Sequence, residues 1–455
     1  MNALLLLLTF ITFVIFYYHS AKSRLGAASG FATGIVYFTI LPILLLAAYG
    51  NLAGIAGTRI PPVSWTRDAG MVGTILAMSI LTIGTLTLIL NWYPRVSTGR
   101  FDAVFEKIAY HISDRVLFVC YLSVATGLFF ATGLGSDTSH WATSRNEFMA
   151  EQGSLGGILM AIPAAFKFII LFRLVPVLFQ EHKRSQNWFI MLGTVLFDLY
   201  TSGTRIFVFQ FLAVLLFDRL RVRDYRPVIL LAISAFPIAA AMETFTVART
   251  HLSKWDDRSA TSAFSALQTG VRKATERVRE KEFYERTLVN ITESTSLGVL
   301  KHVYLHFGVD RPFLNGITLA KPLVAWIPRS VWPAKPHNFS YIVGREVVGP
   351  GVSVGATSLG EFYGNFGILG GLAPPFILLL YAWLFAQICQ RHSPAFPYVL
   401  FNFGIATARN GLLESAIPLI LSLVVMNIVG HSDVAAKIRG LRPMKDLASP
   451  RSVPQ

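Results

Sequence analysis

The chain is divided into long apolar blocks, and their length constrains the fold more than any other feature. About 20 apolar residues in a helix cross the roughly 30 Å hydrocarbon layer of a membrane. Because lipid offers no hydrogen-bond partners, backbone polar groups must be satisfied within each segment, which predicts helices. The blocks are residues 1–18, 30–49, 71–92, 116–133, 155–180, 188–217, 228–245, 372–389 and 399–430.

Composition agrees with a surface that faces lipid. The chain is 53% hydrophobic and 14% charged, whereas soluble domains carry about 25% charged residues. The predicted fold class is therefore an all-α polytopic membrane protein. The net charge of +15 is interpreted as basic loops that contact anionic headgroups, with no nucleic-acid partner. Cys120 and Cys389 both fall in apolar blocks, so no disulfide framework is predicted.

The distribution of basic residues predicts the topology. Basic loops stay in the cytoplasm, and these are residues 21–29, 95–115, 181–187 and 218–227. The blocks 188–217 and 399–430 then each cross twice, with turns at residues 202–205 and 408–411. About eleven crossings result, with the N-terminus outside and the C-terminus in the cytoplasm. The predicted parts are residues 1–245 with helices 1–8, an extracytoplasmic loop 246–371, C-terminal helices 372–430 and a basic cytoplasmic tail 431–455.

A few cations interrupt the apolar blocks, where charge is costly and often functional. Arg205 and Arg409 each lie where an apolar block is interrupted by a predicted turn, with a glycine nearby. We interpret both as anion-binding residues, because a guanidinium group can bind phosphate through two parallel hydrogen bonds. Arg173 is interpreted as snorkelling to the interface. For Lys167 both interpretations stay open.

The long predicted loop contains several distinct patterns. Residues 262–293 predict an amphipathic helix, lying either on the membrane or against its neighbours. His302 and His306 are four residues apart and would share a helix face, but no acidic partner motif accompanies them. Trp326 and Trp332 suit the headgroup region.

The last part of this loop is rich in glycine, which predicts turns and close backbone approaches rather than a regular helix. Glu361 lies within it, beside Phe362 and Tyr363. Such a carboxylate is a candidate for proton transfer, or alternatively an ion-pair partner for one of the arginines. Phosphate-binding loops, dinucleotide fingerprints and nucleophile elbows are not evident, which argues against ATP-driven transport by this chain alone.

Three segments carry a family resemblance. They are SGTR at residues 202–205, IPRSVWPAKP at 327–336 and SLGEFYGNFGILGG at 358–371. The order of these segments, in a chain with many apolar helices and a large external loop in its C-terminal half, resembles that of the Wzy-type O-antigen polymerases, which are oligosaccharide repeat-unit polymerases. The chain departs from that family in having one long external loop where two are usual.

The resemblance implies a polytopic glycosyltransferase of the GT-C-like kind in the bacterial cytoplasmic membrane. Its substrates would be undecaprenyl-pyrophosphate-linked oligosaccharides, joined outside the membrane into O-antigen, capsule or exopolysaccharide. It implies no cofactor and no metal. The expected partners are these substrates and membrane lipids, and a chain-length regulator and a flippase are further candidates.

Residue roles follow as hypotheses from this reaction. Arg205 and Arg409 would stabilise the leaving pyrophosphate, and Glu361 would act as general base, with His302 and His306 as alternatives. The remaining candidates would bind pyrophosphate or glycan, and they are Arg329, Arg345, Lys335, Lys167, Trp326, Trp332 and Tyr363. Rival interpretations are an O-antigen ligase, a lipid-linked oligosaccharide flippase or other transporter, and a scaffold of an export complex.

Overall fold

The structure is a computed structural model that describes eleven continuous parts of the chain. They are residues 2–23, 26–52, 59–92, 113–132, 153–179, 184–202, 206–221, 293–324, 331–349, 354–380 and 396–411, with a few isolated residues between them. Most of the predicted amphipathic helix 262–293 lies outside the described residues, as do the whole block 228–245 and the whole tail 431–455.

Helices dominate the described part. In chain order they are α1 (Asn2–Ser23), α2 (Gly26–Ile35), α3 (Leu41–Tyr49), α4 (Ala69–Trp92), α5 (Asp114–Ala131), α6 (Gly153–Leu174), α7 (Arg184–Ser202), α8 (Ile206–Arg221), α9 (Thr295–His306), α10 (Ile317–Val324), α11 (Phe339–Val347), α12 (Thr357–Phe366) and α13 (Phe396–Asn410). A π-helical segment, Val36–Ile40, joins α2 to α3, and a 3-10 helix, Gly367–Leu372, follows α12. The short strands β1 (Asn51–Leu52) and β2 (Val63–Ser64) pair antiparallel.

Five helical segments in the described part are long and apolar enough to cross a membrane: Asn2–His19, Gly26–Tyr49, Ala69–Ile89, Asp114–Ala131 and Thr357–Leu380. The prediction of a helical membrane protein is confirmed at this level. The predicted breaks also agree with the described helices. The block 188–217 contains two helices, with α7 ending at Ser202 and α8 beginning at Ile206, and α13 ends at Asn410.

The prediction of turns in the glycine-rich run was wrong for residues 357–366, which form the helix α12. The close approaches that the same glycines predict are present within this helix. A Cβ on Gly364 would lie 2.4 Å from the ring of Phe339, and one on Gly360 would lie 2.9 Å from Leu300. Helical structure therefore begins well before residue 372, and Glu361 lies within a candidate span.

Small residues bring α2 and α13 into close contact. A Cβ on Gly30 would lie 1.9 Å from the carbonyl oxygen of Phe401, and one on Gly404 would lie 2.2 Å from that of Ala27. Gly34 meets Ala408 further along the same crossing. This is the small-xxx-small packing that lets membrane helices approach closely. It fixes α13 along α2 and brings the end of α13 to the π-helical segment.

Helix α8 runs antiparallel to α13. The start of α13 meets the end of α8, where the Tyr398 hydroxyl donates a hydrogen bond to Asp218 and the rings of Phe401 and Phe217 stack 4.2 Å apart. Arg219 pairs with the same Asp218 carboxylate. Because the two helices run in opposite directions, the end of α13 and the start of α8 lie at the same end of the pair.

Helix α9 contacts the π-helical segment, the residues just before α4, and α11. Ser296, in its first turn, donates a hydrogen bond to the carbonyl oxygen of Phe38 at 3.2 Å, and Lys301 pairs with Asp68 at 2.9 Å just before α4. On its other side, Val299 and Val303 join Phe339 and Val343 of α11 in a separate apolar cluster; this cluster also includes Ile60, Phe307, Val347 and Ala356.

Candidate functional site

Arg409 is the cation around which the candidate site is built. It lies in the last turn of α13, and its guanidinium donates to both carboxylate oxygens of Glu293, at 2.7 Å from Nε and 2.9 Å from Nη2. The two side chains are 21% and 29% exposed, so solvent reaches the pair. A guanidinium that can grip a carboxylate in this way can also grip a phosphate group.

Glu361 approaches the same helix end from α12. Its residue is 5% exposed, and its Oε2 would lie 2.3 Å from a Cβ on Gly411. Gly411 has φ +80°, a left-handed conformation that ends α13 and that glycine adopts without steric cost. Ser358 adds a hydrogen bond from its hydroxyl to the carbonyl oxygen of Ala408 at 3.4 Å. The carboxylate can occupy this position because residue 411 has no side chain.

Two non-glycine residues beside the site adopt left-handed backbone conformations. Glu293 has φ +49° just before α9, and Thr357 has φ +52° at the start of α12. A residue held in this region costs about 1–3 kcal/mol, and such residues concentrate at functional sites. The strain therefore falls on the two turns that present Glu293 and Glu361 to the end of α13.

An aromatic cluster forms the side of the site that faces α8. The ring centroid of Phe38 lies 5.8 Å from Cζ of Arg409 and 5.2 Å from the ring of Phe209, while Tyr37 stacks on Phe209 at 4.1 Å. Tyr37 and Phe38 belong to the π-helical segment, a type of helix irregularity that is frequent at functional sites. The first turns of α8 thus adjoin Arg409. Arg205 immediately precedes α8 and lies outside the described residues.

Lys167 has a partner rather than an open environment. Its Nζ lies 2.7 Å from Asp198 of α7 and 4.9 Å from the ring centroid of Phe207, in the first turn of α8. The side chains of Lys167 and Asp198 are 13% and 7% exposed, respectively. A buried, hydrogen-bonded ion pair holds α6, α7 and α8 together and leaves this lysine less available to a substrate anion than Arg409.

His302 and His306 share one face of α9, as predicted, with ring centroids 4.3 Å apart. His302 Nε2 lies 3.0 Å from Glu346, which also pairs with Arg311, and His306 Nδ1 lies 2.7 Å from Asp310. Burial lowers the pKa of His302, and the hydrogen bond that its ring donates to Glu346 opposes that effect. The histidine contact lowers the pKa of Asp310.

The histidines belong to a polar group with Asp310, Arg311 and Glu346, whereas Arg409 pairs with Glu293. Helix α9 meets α12 through Leu300 at Gly360 and through Tyr304 at Tyr363, whereas His302 turns toward α11. Within the described ranges, no group of three or more His, Cys, Asp or Glu side chains is placed to hold a metal ion.

The other predicted residues take varied positions. Arg345 is exposed in the last turn of α11, and Lys335 is buried and donates to the carbonyl oxygen of Ile327 at 2.8 Å. Tyr363 packs against Tyr304 and Phe313, and Trp332 is 38% exposed. Arg329 and Trp326 lie outside the described residues.

Sequence reasoning missed several partners that organise these residues. Asp198 is a charged residue in an apolar block, as Lys167 is. The rule that such charges are functional candidates would therefore have identified Asp198 as well. Asn365 is fully buried and ties α12 to the turn before α10 through Thr318 and the backbone of Gly316, at 2.8 and 2.9 Å. Glu293 and Glu346 carry no local signal, since each meets its arginine only through the fold.

No protein-family model, no curated protein and no solved structure matches the chain. The features that point to a function are the chemistry of the Arg409 site and the sequence motifs at residues 202–205, 327–336 and 358–371.

Proposed function

We propose that this chain is a glycosyltransferase that polymerises undecaprenyl-pyrophosphate-linked oligosaccharide repeat units into a surface polysaccharide. The observation that carries the proposal is that Arg409 and the Glu361 carboxylate both lie at the end of α13, where Phe38 connects Arg409 to the first turns of α8. Two of the motifs that resemble the polymerase family, at residues 202–205 and 358–371, lead into or form the elements around this point.

The cationic part of the site suits the leaving group. When the glycosidic bond forms, the bond between the anomeric carbon and the diphosphate oxygen breaks, and negative charge grows on undecaprenyl diphosphate. Arg409 and, next to the start of α8, Arg205 would stabilise that charge. A preorganised donor of this kind contributes roughly 100- to 1,000-fold to the rate.

The acidic part of the site suits the acceptor. A sugar hydroxyl attacks the anomeric carbon, and its proton moves to the Glu361 carboxylate, so that the new bond is made without a free alkoxide. Glu361 is buried beside Gly411, and exclusion of water strengthens each electrostatic contact in such a site. His302 and His306 point toward another group of residues, which favours Glu361 as the base.

The proposed enzyme lies in the bacterial cytoplasmic membrane with its N-terminus outside and its C-terminus inside, and with about eleven crossings. Packing directions support this topology. Helix α2 runs parallel to α13 and antiparallel to α8, as the alternation of basic loops requires. The arginine-rich end of α8 meets the start of α13, so it lies at the far end of this helix pair from Arg409. Ser296 reaches Phe38, in the middle of a candidate span, so the site would be enclosed by helices in the outer half of the membrane.

Glycan chain length in cells tests the proposal. In a host that lacks its own copy of this chain, Arg409→Ala and Arg409→Lys should each reduce polymer to single repeat units, because lysine cannot replace a bidentate fork. Arg173→Ala is the matched control: Arg173 also pairs with a carboxylate, Asp114, at 3.0 Å and is similarly buried. Its polymer should match wild type.

The same assay separates the rival functions. Long polymer in the Arg409 variants, at normal protein levels, would refute the proposal. Long polymer that is not transferred to its final lipid acceptor would indicate a ligase. Accumulation of lipid-linked units on the cytoplasmic side would indicate a flippase.

A further inference from the structure

Glu293 occupies the edge of Arg409 that an anionic substrate needs. Two nearly equal donor distances, 2.7 and 2.9 Å, make its carboxylate a bidentate ligand of the guanidinium, and phosphate oxygens bind arginine with the same geometry. We propose that Glu293 is a built-in competitor: its carboxylate holds Arg409 until the diphosphate of the lipid-linked substrate replaces it. This inference rests on the proposed function.

The exposure of the pair suits an exchange of ligands. Arg409 and Glu293 are 21% and 29% exposed, whereas Asp198 and Asp218, the carboxylates of two other ion pairs among the apolar helices, are 7% and 2% exposed. Breaking a deeply buried pair leaves an uncompensated charge in the core. The Glu293 carboxylate can instead move into solvent when another anion takes its place.

The backbone at Glu293 lets the carboxylate move without its helix. Glu293 has φ +49° in the turn before α9, and this turn is held by a hydrogen bond from Ser296 N to the carbonyl oxygen of Glu293 at 2.9 Å. Helix α9 itself is anchored at Phe38 and Asp68. A backbone rotation at residue 293 would therefore relieve a strained conformation and withdraw the carboxylate while α9 stays in place.

Charge makes the two ligands exclusive. A diphosphate on Arg409 would bring its negative oxygens against the Glu293 carboxylate in a partly desolvated site, where like charges repel strongly. Substrate must displace Glu293, so its apparent affinity is reduced in proportion to the fraction of molecules in which Glu293 has left Arg409. Removing the competing charge should raise that affinity.

Calorimetric titration of the purified full-length chain in detergent, with inorganic pyrophosphate as the probe, tests this. Wild type should bind pyrophosphate, and Arg409→Ala should abolish binding. Glu293→Gln should tighten binding, by roughly tenfold for an ion pair that is formed in about nine-tenths of the molecules. Asp114→Asn breaks the similarly exposed Arg173 pair and should leave the affinity unchanged. A structural role of Glu293 alone predicts weaker binding, because Arg409 would lose the contact that holds its guanidinium in place.

The outcomes distinguish the inference from the function on which it rests. Binding that depends on Arg409 but is unchanged or weaker in Glu293→Gln would overturn the competitor while leaving the diphosphate site intact. Binding that is absent, or equal in wild type and Arg409→Ala, would overturn both. If Glu293→Gln fails to fold, Glu293→Asp shortens the carboxylate by one methylene group and should also tighten binding.

Discussion

At the scale of single residues, charge among the apolar helices is organised in pairs. Lys167 with Asp198, Arg173 with Asp114, and Arg219 with Asp218 each join two neighbouring side chains within 4 Å. These contacts offset the cost of placing charge in an apolar environment. Arg409 stands apart because its partner comes from a strained turn rather than from a helix.

His302 gives a prediction at this scale. Burial lowers its pKa below the ordinary value of 6.5, so the folded protein favours the neutral ring. Below pH 6.5 the unfolded chain takes up the proton more readily than the folded protein does. The contribution of His302 to the free energy of unfolding is therefore fully present above pH 6.5 and is lost as the pH falls through the pKa of the folded state. Thermal unfolding in detergent should show a smaller loss from pH 7.5 to 5.5 in His302→Gln than in wild type.

His337→Gln is the control, because it removes a different histidine and keeps His302 with its neighbours Glu346, Arg311 and His306. Its acid loss should match wild type. An equally steep loss in His302→Gln would show that this ring does not titrate between the two states as its burial requires.

Sequence identified Arg409 as a candidate site residue but not its partner Glu293. Arg205, Arg409 and Lys167 stand out because a charge in an apolar block is conspicuous, and Glu361 stands out beside glycines and aromatic residues. Glu293 is 116 positions from Arg409 along the chain. A contact of that separation depends on the packing of α9 against α12 and the π-helical segment Val36–Ile40, which no local pattern encodes.

At the scale of elements, glycine determines how closely the helices approach. Glycine spacing on α2 and α13 predicts a close contact only if the two helices are known to be neighbours. The glycines at 360 and 364 predict both turns and close approaches, and the structure shows only the close approaches: both residues lie inside α12, where neighbouring side chains fill the space of a missing Cβ. Composition cannot separate these two uses, because both require a residue without a side chain.

Gly404→Val tests the close crossing. A Cβ there would lie 2.2 Å from a backbone oxygen of α2, so valine should force the helices apart and destabilise the fold by about 2 kcal/mol or more. Gly84→Val is the control, since no atom lies within 4 Å of a Cβ at Gly84 in α4. Melting temperature in detergent is the measurement; similar melting of the two variants would contradict the packing argument.

At the scale of the whole molecule, apolar block length predicted more than local motifs did. The helices at 2–23, 69–92, 114–131 and 153–174 match predicted blocks to within a few residues, because a membrane imposes one length on every span. The antiparallel arrangement of α8 and α13 was also expected from charge alternation. What sequence did not predict is that α9 reaches Phe38 in the middle of a candidate span and brings Glu293 to Arg409.

Reconstituted sugar transfer tests the central claim most directly. Purified full-length protein in liposomes would receive undecaprenyl-diphosphate-linked repeat units from cells that lack this chain, and mass spectrometry would follow joined units and released undecaprenyl diphosphate. Wild type should release one undecaprenyl diphosphate for each linkage made, and Arg409→Ala should be slower by roughly 100-fold or more. Repeat units that stay unjoined with wild type, or that are joined equally fast by Arg409→Ala, would contradict the account.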